Sequence, residues 1–179
     1  MCGETRIAEI LASRECRRIR DERLAPSAVL FLLFEREGEC YVLFTRRSDT
    51  VAHHRGEISF PGGTIDSDDS DLLHTALREG AEEIGLDPRD VTILGRLDDV
   101  FTVTTGFIIT PYVGVIPHPY EFQINVDEIS ELIFLPLRAL AEECRVEASE
   151  VTHFHIQDHI IWGATARILK QFLDLTYKE

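Results

Sequence analysis

Cysteine is scarce and scattered in this chain. Cys2, Cys16, Cys40 and Cys144 form no C-x-x-C pair and no dense framework, which argues against a zinc ribbon or a disulfide scaffold and leaves reduced, buried or incidental thiols as the simplest expectation. Basic residues are also few, 18 Lys and Arg against 32 Asp and Glu, for a net charge of −14. Such an excess repels a phosphodiester backbone, whose affinity for proteins comes from Lys and Arg displacing counterions, so no long nucleic acid is expected as a partner. Long apolar runs are missing too. The longest, residues 28–34, falls far short of the roughly 20 residues a spanning helix needs. Nothing after Met1 has the layout of a secretory signal. No membrane partner and a cytoplasmic location are therefore expected. Aromatic content is only 8%, yet 44% of residues are hydrophobic, enough for a real core, and 179 residues suit one compact fold with one active site.

What is present reads as strands interleaved with a few helices. Residues 5–23 carry Ile7, Ile10, Leu11 and Ile19 among many charges at roughly helical spacing, which predicts an amphipathic helical arm over residues 1–24 ahead of a main domain over 25–179. Residues 28–34, a turn at Glu37 and Gly38, and the run from Cys40 predict a hairpin. A short strand over 56–60 is expected to stop at a tight Pro61-Gly62-Gly63 loop. Leu73, Ala76, Leu77, Ala81 and Ile84 then recur at helical spacing, with Asp69 or Ser70 able to cap the start and Gly85 placed as the stop. Strands are expected over 91–97, 107–116 and 132–135, a short helix after Pro136, a closing strand pair over 152–156 and 159–162, and a last amphipathic helix over 164–177. There is no internal repeat or long linker. Hairpins and crossovers together predict an α/β fold in which a mixed sheet is sandwiched between helices, an α/β/α arrangement.

The most informative segment is Arg78-Glu79-Gly80-Ala81-Glu82-Glu83-Ile84-Gly85. Residues three and four apart share a helix face, so Glu79 stands beside both Glu82 and Glu83. Like charges gathered this way are costly unless cations sit among them. Mg2+ or Mn2+ is the natural occupant, because hard divalent ions prefer oxygen ligands and Mg2+ keeps waters that substrate phosphates can replace. Arg78 offsets part of the charge and can orient one glutamate. Taken alone, the triplet in so acidic a chain reads first as a solvated helix face.

The surroundings change that reading. Gly63, in Phe60-Pro61-Gly62-Gly63, together with residues 78–86, resembles the Nudix box: a glycine followed at fixed spacing by Arg-Glu, a small or apolar residue, any residue, Glu-Glu, any residue and Gly. The gap from Gly63 to Arg78 is one residue longer than usual, the early glutamate of the box is absent, and Gly80 replaces a larger apolar residue. The resemblance implies a Nudix-like α/β/α sandwich and a metal-dependent hydrolase of nucleotide-linked diphosphates.

The longer box resembles the coenzyme A pyrophosphatase branch of that family. So do residues 43–48 with Val51 and 56–63, residues 104–107 and 111–113, residues 125–129 and residues 161–169, whereas Ala52 stands where the branch usually has an arginine. This implies cleavage of coenzyme A or a derivative into adenosine bisphosphate and (acyl-)phosphopantetheine. It also implies Glu79 and Glu83 as first metal ligands, with Glu82 sharing the metal or acting as base. Gly62 and Gly63 lie at the substrate, and Arg46, Arg47 and Arg55 are candidates for its phosphates, since guanidinium forks suit phosphate oxygens. A Nudix enzyme acting on ADP-ribose or another nucleoside diphosphate derivative, and a Nudix-fold binding protein without turnover, are the alternatives. The full glutamate set favours an enzyme over the latter. A homodimer is compatible with this reading. His153, His155 and His159 read as strand histidines before they read as metal ligands, Glu128 as a turn residue or a remote base, and Trp162 as a core anchor or an adenine stack.

Overall fold

The computed structural model describes residues 2–48, 56–102, 105–146 and 153–177, the side chains of 144–146 excepted. Strand β1 (Ala25–Arg36) sends Phe31 and Leu33 to one face and Leu30, Leu32 and Phe34 to the other, and all five are buried. A strand apolar on both faces belongs in the middle of a sheet covered on both sides. One edge of β1 pairs in parallel with β7 (Phe107–Val115), and the other pairs antiparallel with β2 (Glu39–Arg47) through a turn in which Glu37 and Gly38 both have positive φ. Strands β5 (Thr92–Arg96) and β6 (Val100–Phe101) pair antiparallel with β7, and β8 (Ile129–Pro136) with the far edge of β2. The sheet is mixed, as expected.

One face is covered by α1 (Glu4–Ala12), α3 (Leu137–Val146), α4 (Gly163–Thr176) and the separate hairpin of β9 (Phe154–Ile156) and β10 (His159–Ile161); the other is covered by α2 (Leu72–Ile84). Phe31 joins the layers, with its ring 4.4 Å from that of Phe172 in α4 and 4.8 Å from that of Phe60. No helix among the described residues is long and apolar enough to cross a membrane.

A fork in the sheet positions the site. β1 and β2 pair with each other only near their hairpin, at Leu32 to Arg36 and Glu39 to Leu43. Beyond that, the freed edge of β1 takes up β4 (Gly62–Thr64), and the freed edge of β2 takes up β3 (Ile58–Ser59). Residues 58–64 are thus wedged into the fork, and Gly62 and Gly63 lie in a strand rather than in the expected loop. Glycine is required here: Gly62 has φ 152°, and a Cβ on it would collide with the β1 backbone at Ala28 and Val29.

Four further departures have physical reasons. The side chain of Asp71, not Asp69 or Ser70, caps α2 by accepting the amide of His74 at 2.8 Å. At the other end Gly85, at φ 68°, closes the helix as expected. The arm helix ends at Ala12 because the following backbone bonds elsewhere: the amides of Arg17 and Ile19 donate to the Asp98 and Asp99 carboxylates, each at 2.9 Å, and Arg14 pairs with Asp98. Strand β6, only two residues long, has no periodicity to announce it. Cys2 and Cys40, expected as thiols, form a disulfide, since packing Ile7 and Leu11 of α1 into the core brings Cys2 beside the start of β2, with Cα atoms 4.8 Å apart.

Candidate active site

The glutamates of α2 divide by direction. Glu79 and Glu83, four residues apart, turn toward β4, whereas Glu82 stands on the rim with its side chain 55% exposed. Glu83 is only 3% exposed and accepts the Gly62 amide at 3.1 Å. Glu79 lies against Gly63, where a Cβ would run into its carboxylate. The glycine pair therefore has two duties, one a donated amide and the other an absent side chain. Gly80 lets α2 approach the sheet, because a Cβ there would stand 2.9 Å from Leu30 Cδ1.

Arg78 organises the rim. Its Nη1 lies 2.9 Å from Glu79 Oε1 and donates to Glu82 Oε2 at 3.1 Å. Nε and Nη2 fork onto Asp69 at 3.0 Å each, and Nη2 also reaches the Thr64 carbonyl at 3.1 Å. Asp69 is held far below the usual carboxylate range, chiefly by the Arg78 hydrogen bonds, and the guanidinium is correspondingly raised.

The inner pair is shifted the other way. Burial, the largest cause, pushes Glu83 up to about 8; the Gly62 amide opposes this, the charges of Glu79 and Glu128 add to it, and Arg47 opposes it. Glu79 is raised as well, again first by burial, with Arg78 working against the shift and Glu82 and Glu128 with it. Glu83, buried, and Glu79, half-buried with Arg78 against it, hold two negative charges together poorly unless a cation joins them. An all-oxygen donor set of this kind fits a hard divalent ion. Among the described residues, no three His, Cys, Asp or Glu side chains are grouped so as to hold a metal as they are placed.

The basic stretch separates along β2. Arg47 is the arginine whose charge acts on Glu83, and its Nε is buried without a hydrogen-bond partner among the described residues. Arg46 instead donates to Glu131 at 2.9 Å and meets His159 Nδ1 at 2.9 Å. Arg55, with Ala52, His53 and His54, lies outside the described residues. His153 and His155 sit at the β9–β10 hairpin, and Trp162 lies 47% exposed just before α4.

Sequence reasoning left Glu128 open; its charge acts on both Glu79 and Glu83. The loop carrying it docks on the end of α2 through Gln123 N to Ile84 O at 3.0 Å and Asn125 N to Glu83 O at 2.9 Å, while Ser48 N bonds to Glu128 O at 2.7 Å. The signal available beforehand was the resemblance of residues 125–129 to the coenzyme A branch.

Comparison with known proteins is consistent with this geometry. A NUDIX domain model matches residues 24–156. A relative described as the uncharacterized Nudix hydrolase NudL, from Enterobacter sp. (strain 638), is 33% identical over 172 residues, 91% of this chain and 88% of its own length. The peroxisomal coenzyme A diphosphatase NUDT7 of Mus musculus is 41% identical over 110 residues, 62% of this chain and 46% of its own. Among solved structures, a C. elegans Ap4A hydrolase binary complex has a TM-score of 0.62 at 14% identity, covering 86% of this chain and 98% of that one. The NUDIX domain of Shewanella oneidensis NrtR complexed with ADP ribose has a TM-score of 0.55 at 18% identity, covering 92% and 94%. At those identities the structures speak for the fold alone.

Proposed function

This chain belongs to the Nudix hydrolase family, and from that premise we propose that it hydrolyses the diphosphate bond of coenzyme A or a coenzyme A derivative, releasing adenosine bisphosphate and (acyl-)phosphopantetheine. The observation that carries the hydrolase reading is the Glu79 and Glu83 pair, set against Gly62 and Gly63, with Glu83 buried and both carboxyls pushed upward by burial despite Arg78, Arg47 and the Gly62 amide. The coenzyme A reading is supported by the motifs outside the box and by the similarity to the mouse coenzyme A diphosphatase.

Glu79 and Glu83 would hold Mg2+ or Mn2+, with Glu82 at the rim. When bound, the ion neutralises phosphate oxygens and lowers the pKa of a water. The chain's own residues prepare the rest. The Gly62 amide fixes Glu83, Arg78 keeps Glu79 and Glu82 from swinging apart, and Arg47, whose charge acts on Glu83, is the candidate for a substrate phosphate. Arg46, committed to Glu131 and His159, is the poorer candidate for that task.

The test is a panel of coenzyme A, acyl-coenzyme A, ADP-ribose and dinucleotides incubated with Mg2+ or Mn2+, with products identified by mass. Cleavage of coenzyme A to the two named products is expected. Cleavage of ADP-ribose or a dinucleotide with coenzyme A left intact would replace the substrate, and no turnover of any member would favour a binding protein.

A further inference from the structure

We propose that the Cys2–Cys40 disulfide is a redox latch: the arm helix α1 stays docked while the bond is intact and comes free, hinging at its C-terminal end, when a dithiol reduces it. The helix has little else to hold it. It is 9 residues long, no described side chain caps its start, and its last turn carries no basic residue, so only Glu4, in the first turn, suits the helix dipole. Helices this short are marginal in water without tertiary support. That support is thin. Within α1 only Ile7 and Leu11 are buried, and Leu11 packs closely at Gly95 of β5, where a Cβ would come within 2.8 Å of its own Cβ.

The two ends of α1 are fastened by different chemistry. Past Ala12 the chain is held by polar contacts: the Arg17 and Ile19 amides on Asp98 and Asp99 at 2.9 Å, the Asp99 amide on the Arg17 carbonyl at 3.0 Å, and the Arg14 ion pair with Asp98. A reductant leaves these intact. Cys16 lies on this side, free and donating to the Arg96 carbonyl at 3.3 Å, so it is not part of the latch. The other end is held covalently, by Cys2 on Cys40 at the start of β2. A thiolate of the dithiol attacks one sulfur of the bond, and its second thiol resolves the mixed disulfide. Two electrons pass to the protein, which gains two cysteine thiols as the dithiol becomes a disulfide. The bond spans a sequence separation of 38 residues, so breaking it returns to the open arm the freedom that the closed loop had removed.

The test equilibrates the full chain with glutathione disulfide or with dithiothreitol and follows amide hydrogen exchange by mass spectrometry. The amides of residues 7–13, from Ile7 on the Gly3 carbonyl to Ser13 on that of Glu9, should exchange at least about tenfold faster in dithiothreitol. Those of Arg17 and Ile19, and those of α4, should stay protected in both samples. Cys2→Ser and Cys40→Ser should each behave as the reduced parent does and ignore the reagent, whereas Cys16→Ser should respond like the parent. Equal exchange over residues 7–13 in the two reagents would overturn the inference. So would loss of protection that spreads to α4, which would make the bond a staple of the whole fold rather than a latch on the arm. Alkylation of Cys2 and Cys40 by iodoacetamide in the sample treated with glutathione disulfide would overturn it as well, because the bond would not have formed. No metal or substrate enters the assay, so its result stands apart from the proposed hydrolysis.

Discussion

Two carboxylates are buried against the same sheet and are treated in opposite ways. Asp99, 5% exposed, accepts the Ile19 amide at 2.9 Å, the Thr110 hydroxyl at 2.8 Å and Arg96 Nη2 at 2.6 Å. Glu83, 3% exposed, accepts one amide at 3.1 Å and faces two further carboxylates. At Asp99 the donors match the charge, and the residue pins the arm to the sheet. At Glu83 the local structure leaves a deficit that no described neighbour fills. A satisfied buried network stiffens a fold, whereas an unsatisfied one costs stability and persists where a function requires it.

Because of that contrast, substitutions in the two regions must have different effects. Glu83→Gln should reduce turnover of whichever diphosphate is cleaved on the order of 10²- to 10³-fold, as when one transition-state charge stabiliser is lost; steady-state kinetics at saturating Mg2+ measures it. Gly63→Ala drives a methyl group into the Glu79 carboxylate and should cost activity on the order of 10²-fold with the circular dichroism spectrum retained. Arg78→Lys keeps the charge but loses the fork onto Asp69, so roughly a tenfold loss of kcat is expected.

The arm side should respond in stability instead. Asp99→Asn leaves the Arg96 and amide donors poorly matched and should lower unfolding free energy by about 2 kcal/mol, read from urea denaturation, with kcat per folded molecule unchanged. The smallest effect is expected at Gly80→Ala. There a gain of about 1 kcal/mol in helix propensity meets crowding against Leu30 and Leu86 that costs about 1–3 kcal/mol, for a net loss near 1 kcal/mol.

How much of this was legible in the sequence follows the range of the interactions. The hairpin at Glu37 and Gly38, the α2 span and its stop at Gly85 depend on turn chemistry and periodicity within a few residues, and they stand where the pattern placed them. The cap of α2 did not, because Asp69 is drawn off by Arg78, nine residues on. The arm helix stops early for the same kind of reason, its polar partners lying about 80 residues away. The glycine strand β4 could not be read locally, since it exists only where β1 and β2 diverge. Within the site, the box showed which glutamates gather. The division of Glu79 and Glu83 inward from Glu82 outward depends on how α2 lies against β4. Arg46 and Arg47 looked equivalent in the chain, but different partners separate them.

The central claim is that the Glu79 and Glu83 pair is destabilised so that a divalent cation can occupy it. Melting temperatures of the parent and of Glu83→Gln, each in EDTA and in excess Mn2+, test it most directly. The account predicts that Glu83→Gln melts no lower than the parent in EDTA, and that Mn2+ raises the parent by several times more than the variant. A variant less stable in EDTA and raised by Mn2+ as much as the parent would contradict it.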